Sequence, residues 1–103
     1  MKTNKIIYTL IIISLNSISF AQSSLNLEAV KNLVITCTGC HGPEGISANP
    51  LWPNLAGQKK DYLSKQILAF KNGERKDPLM NPIASSISEK DIDLIADYYA
   101  NLK

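Results

Sequence analysis

The five residues CTGCH hold Cys37, Cys40 and His41, and the 103-residue chain contains no other cysteine or histidine. Such a cluster suits three kinds of chemistry. A structural zinc site needs four ligands, usually as two spaced pairs, and no second pair of cysteines or histidines completes one here. A reactive dithiol of the thioredoxin type sits at the start of a helix within a strand-helix-strand unit, whereas this pair follows a helical pattern and no alternating strand is evident. A plain disulfide across two intervening residues closes too small a loop to constrain the unfolded chain much. Covalent haem attachment uses every member of the motif. Two sulfurs three residues apart lie on the same side of a helical turn and can each bond one vinyl group, while the adjacent imidazole reaches the iron.

A haem predicts a partner residue elsewhere, because a six-coordinate centre of this type takes a second axial ligand, usually a methionine sulfur or another histidine. Apart from Met1, the chain has one methionine, Met80, in the proline-punctuated stretch ERKDPLMNPIASS. A lone methionine on its own reads as adaptable core filling. With haem as the premise, its uniqueness and its place in a loop make Met80 the expected distal ligand opposite His41.

The elements that must position these residues begin after an export signal. MKTNK carries two lysines, a short apolar core IIYTLIIISL follows, and Ser19-Phe20-Ala21 offers small residues for cleavage. The core falls short of the roughly 20 apolar residues of a membrane span, so residues 1–21 read as a cleaved Sec-type signal peptide and residues 22–103 as one monohaem domain. Lys2 and Lys5 leave with the signal and no acid does, so the formal charge of +2 falls to zero. No basic stripe then remains to support nucleic-acid binding. A domain this small usually needs a staple beyond its own core.

The mature part reads as all-α, with three main helices. Leu27, Val30, Val34 and Cys37 keep helical spacing, so the first helix delivers Cys37 from its apolar face, with the cluster at or just past its end. Tyr62, Leu63, Gln66, Ile67 and Phe70 form the second helical stripe, stopped by KNG at residues 71–73. Ser88 with Asp91 resembles a capping box for the last helix, whose apolar face is Ile92, Ile95, Ala96, Tyr99 and Leu102. The long loop GPEGISANPLWPNLAGQ, too rich in glycine and proline for a helix, is expected to wrap around something. Asn81-Pro82 can open a short helical turn, with proline at the first helical position.

In this order CTGCHGPEG, PNLAGQ, DYLSKQILAFKNGERKDPLMNPIA and ISEKDIDLIADYYANL resemble the class I cytochromes c, within them the cytochrome c4 and c553-like group. The resemblance covers nearly all of the mature chain. It implies the cytochrome c fold, with the helices and loops wrapped around one haem c bonded to Cys37 and Cys40, His41 and Met80 as axial ligands, and the first and last helices crossing. It also implies that the Pro53 carbonyl accepts a hydrogen bond from the other nitrogen of His41, which fixes the tautomer. Ala29 and Leu33 stand where many relatives have a glycine and an aromatic, so the crossing is expected to be wider here. Trp52, Tyr98 and Tyr99 read as packing residues, with one tyrosine ring turned toward the haem.

Lys59, Lys60, Lys65, Lys71, Arg75 and Lys76 gather between the loop and Met80, but Asp61, Glu74 and Asp77 are mixed among them. That pattern is an ordinary solvated helix face before it is a docking patch for an acidic partner. The expected function is single-electron transfer by a soluble periplasmic carrier of a respiratory chain, with no catalysis of its own. Expected partners are redox proteins such as a cytochrome reductase complex, a terminal oxidase or a periplasmic dehydrogenase. Membrane contact comes only through those complexes, and the monomer is the expected state. A haem enzyme with an open iron site and a thiol-disulfide oxidoreductase are the competing classes. Met80 speaks against the first, and the second requires titratable thiols.

Overall fold

The computed structural model describes residues 2–103, with side chains from residue 19 onward except Leu25. Four helices follow in order, α1 (Lys2–His41), α2 (Lys60–Lys71), α3 (Met80–Ser85) and α4 (Glu89–Ala100), and the described residues contain no strand. The chain divides into two compact units, residues 1–31 and residues 32–103. In the first unit the described side chains are exposed apart from half-buried Val30, and Lys31 reaches Glu28 one turn earlier at 3.4 Å. The expected signal peptide falls mostly on residues 1–18, whose side chains lie outside the described residues; Ser19, Phe20 and Ala21 are exposed on the helix. Among the described residues, no helix is long and apolar enough to cross a membrane.

The second unit is built on α2, which packs against both α3 and α4. The α4 stripe folds as its spacing predicts: Ile92, Ile95, Ala96 and Tyr99 are buried, and only Leu102 stays half-buried past the helix end. Its start is capped by Ser88, whose Oγ accepts the Asp91 N–H at 3.1 Å, which removes one orphan donor of the first turn. On α2 the stop also falls where expected. Gly73 takes the left-handed conformation (φ 75°) and donates its N–H to the Phe70 carbonyl at 3.3 Å.

Two expectations change, both at α3. Met80 is the first residue of that helix and not a loop residue, so Pro82 does not open it; the cysteine pair and His41 lie in the last turns of α1, at its end as expected. The α3 start moves because Asp77 Oδ1 accepts the N–H groups of both Leu79 and Met80 at 2.8 Å, which caps a turn that begins before Asn81. Pro82 therefore stands third in the helix, not first. That position is still within the first turn, where a missing N–H costs nothing.

The 42–59 loop is held at both ends by backbone. Gly42 donates to the Thr38 carbonyl at 3.0 Å, closing α1, and Gly57 donates to the Tyr99 carbonyl at 2.9 Å, tying the loop to α4. Gly42 has φ 89°, and a Cβ there would lie 1.9 Å from the Ile46 carbonyl oxygen, a contact with rigid backbone. Gly42→Ala is expected to destabilise the haem-loaded protein by at least ~2 kcal/mol, read as a lowered urea midpoint. An unchanged midpoint would show that this turn can open without cost.

Candidate functional site

The second unit contains an apolar cavity of ≈ 280 Å³, and every residue that lines it belongs to residues 32–103. Each element contributes one wall. The last turns of α1 bring Cys37, Cys40 and His41; the loop brings Leu51, Trp52, Pro53 and Leu55; α2 brings Leu63, Gln66, Ile67 and Phe70; α3 brings Met80 and Ile83; and α4 brings Ile95, Ala96 and Tyr99. Thus all five residues singled out in the sequence (Cys37, Cys40, His41, Pro53 and Met80) face one space, across a chain separation that spans most of the unit.

His41 is buried, and its Nδ1 lies 2.8 Å from the Pro53 carbonyl oxygen. A carbonyl only accepts, so Nδ1 carries the proton and donates it. In the neutral ring this tautomer leaves the Nε2 lone pair free, the form in which imidazole ligates a metal. Ser47 secures the same corner: its Oγ donates to the Cys40 carbonyl at 3.1 Å, and its N–H donates to Asn54 Oδ1 at 2.7 Å, next to Pro53.

Cys37 and Cys40 are not joined by a disulfide, and both are half-buried. Burial pushes the Cys37 thiol above its ordinary range, opposed by an interaction with the Tyr99 hydroxyl and with its own backbone. A catalytic dithiol needs the opposite shift, toward thiolate. Tyr99 is itself buried, its phenol raised chiefly by burial and then by Cys37, and its hydroxyl has no nitrogen or oxygen partner among the described residues. A buried hydroxyl whose interacting group is the Cys37 thiol, at the wall of an apolar cavity, marks a wall shaped for something other than protein. Tyr98 meets Tyr99 edge to face at 5.2 Å between ring centres, which fixes the Tyr99 ring.

The donor set fits a haem. Two thiols on one helical turn can take the vinyl groups, an imidazole and a thioether line the same cavity, and the remaining walls are largely Leu, Ile, Phe and Trp side chains suited to a flat apolar macrocycle. Trp52 is half-buried in this lining, consistent with a packing role.

Several polar contacts were not legible as parts of the site. Arg75 lines the cavity, stacks on the Phe70 ring at 4.5 Å and donates to Gln66 Oε1 at 2.8 Å. Lys71 donates to the Ile87 carbonyl at 2.6 Å and the Ser85 carbonyl at 3.2 Å, and Lys60 pairs with Asp93 at 3.4 Å on α4. Half of the basic set between the loop and Met80 is therefore engaged within the fold. The Asp-Pro-x-x-Asn spacing at residues 77–81 was the one sequence signal, since Asp and Asn side chains bond backbone groups two to four residues away.

The cytochrome c family model matches residues 27–103. Cytochrome c-554(548) of Halomonas halodenitrificans is 44% identical over 69 residues, covering 64% of this chain and 83% of that protein. The thiosulfate dehydrogenase electron acceptor of Stutzerimonas stutzeri is 42% identical over 69 residues, covering 64% of this chain and 32% of that protein. Among solved structures, reduced recombinant cytochrome c4 from Pseudomonas stutzeri superposes with a TM-score of 0.61 at 38% identity, over 65% of this chain and 38% of that one. The chain thus spans only about a third of the length of these last two proteins.

Proposed function

Because the chain belongs to the cytochrome c family, with one covalently bound haem c at the Cys37–Cys40 pair and electron transfer as its function, we propose that it is a soluble periplasmic carrier. In this reading it shuttles single electrons between respiratory redox proteins through a haem ligated by His41 and Met80. The haem supplies the one-electron iron couple, and the chain's residues do the rest. His41 presents Nε2 because Pro53 holds its Nδ1 proton, a restraint that also makes the ligand more basic. Met80 faces the same cavity from α3, and a thioether there favours the reduced state. The apolar walls exclude water and disfavour extra charge, which pushes the potential the same way. The observation that carries this reading is the convergence of His41 and Met80 on one apolar cavity.

Export by residues 1–21 and a working domain of residues 22–103 belong to the same proposal. So does docking to a reductase complex, terminal oxidase or periplasmic dehydrogenase. Similarity to an electron acceptor named for thiosulfate dehydrogenase supports a dehydrogenase as one such donor.

A closed, six-coordinate carrier predicts that the ferrous protein keeps its spectrum under carbon monoxide and titrates with one electron at a moderately positive midpoint potential. Rapid carbon monoxide binding would move the reading to an open-site haem enzyme. A strongly negative potential would count against Met80 as a ligand.

A further inference from the structure

The segment that carries Met80 is tied to the end of α2 by side chains that bond only to backbone. Asn81 is the central one. Its Nδ2 donates to the Phe70 carbonyl and to the Arg75 carbonyl, both at 2.8 Å, while its Oδ1 accepts the Asp77 N–H at 2.7 Å. Phe70 lies in the last turn of α2, and its carbonyl, already bonded to the Gly73 N–H, takes the Asn81 amide as a second donor, so one of these bonds also ties the segment to that helix end. Lys71, the last residue of α2, holds the far end of the same segment through the Ser85 and Ile87 carbonyls.

Backbone partners matter here. A carbonyl in a helix end cannot rotate away as a side-chain acceptor can, so the carboxamide of Asn81 fixes the position of its own Cα relative to α2. Met80 is the adjacent residue. Asp77, held by Asn81, in turn caps the Met80 and Leu79 N–H groups. Movement of the thioether out of the cavity therefore requires either a rotation confined to the Met80 side chain or a break in the Asn81 bonds.

We infer that Asn81 is the positioning residue for the Met80 thioether: its carboxamide ties the α3 start to the C-terminal end of α2 and so sets how often the thioether leaves the iron. The inference rests on Met80 being the axial ligand. Thioether departure is the minor state of a two-state equilibrium, and a ligand that binds the vacated iron reports its population.

The test uses the ferric, haem-loaded protein titrated with imidazole. Asn81→Ala is expected to bind imidazole about tenfold more tightly or better, the factor that one lost hydrogen bond represents, and to weaken the far-red band of the thioether-ligated form. Ile92→Val removes one buried methylene from α4, at a residue that does not line the cavity, and serves as the stability control. Its imidazole affinity should stay at the wild-type value although its unfolding midpoint falls. If Asn81→Ala binds imidazole within twofold of wild type, or no more tightly than Ile92→Val, the inference is overturned. A wild-type protein with no far-red band would instead overturn Met80 ligation, and the inference with it.

Hydrogen exchange on the unaltered protein keeps the test independent of whether the variant folds. With imidazole bound, the Asp77 N–H should lose protection while the Asp91 N–H, bonded to Ser88, keeps it. An Asp77 N–H that stays protected when the thioether is displaced would overturn the coupling.

Discussion

Met80→Ala is expected to remove the far-red band, convert the closed iron to an open site that binds carbon monoxide and imidazole, and lower the midpoint potential. Axial ligands tune haem potentials across ≈ 0.8 V, and exchanging a thioether for water is expected to take a sizeable part of that range, always in the negative direction. Two effects add. A thioether ligand would stabilise the ferrous state, and the alanine would leave room for water in a cavity that Leu79, Ile83 and Ile87 also line, which lets the more charged ferric state be solvated. The fold should survive. Met80 is only half-buried, and α3 is held by Asp77, Asn81 and Lys71 through bonds that do not involve the methionine side chain. Circular dichroism of the variant should therefore match the wild type while the potential drops. Unchanged spectra and potential would show that Met80 never ligated the iron, and the lone methionine would revert to core filling.

What could be read in the sequence was local. The α4 stripe and its Ser88 cap lie within fifteen residues and follow from helical period and short-range hydrogen bonding alone. KNG stops α2 for a reason carried by one glycine. The cysteine pair and histidine are legible because their chemistry is set by types and spacing within five residues. The Pro53 contact was not derivable in that way. It joins residues 12 positions apart through a carbonyl, a group every residue has, so only the family resemblance pointed to it.

The roles of Lys71, Arg75 and Asn81 were hidden for a related reason. Lysine and arginine between acids read as solvated charge, yet Lys71 spans 16 positions to the Ile87 carbonyl, and Arg75 lies on the Phe70 ring at the cavity wall. These contacts exist only once α3 sits on α2. No periodicity in either helix encodes that placement; the length of the 72–79 connection and the Asp77 cap do.

Removing both attachment sulfurs, as in Cys37→Ala with Cys40→Ala, is expected to produce the largest change, because leaving the cavity unfilled is expected to cost much of the fold's stability. An unfilled void costs about 24 cal/mol per Å³, so the ≈ 280 Å³ cavity corresponds to roughly 7 kcal/mol. Water entering through the open side makes this an upper bound. A domain the size of residues 32–103 has a total stability on the order of 4–11 kcal/mol, so the two quantities are of the same size. The buried set left to hold the unit without haem is small: Val34, Leu63, Ala84, Ile92, Ile95, Ala96 and Tyr99. Acid-acetone should therefore strip all colour from the double variant and none from the wild type. The stripped chain, returned to neutral buffer, should show weak helical circular dichroism and no cooperative thermal transition. A cooperative transition in that haem-free chain would mean that α2, α3 and α4 sustain the fold on their own contacts, and that the thioethers serve chiefly to keep the cofactor from leaving.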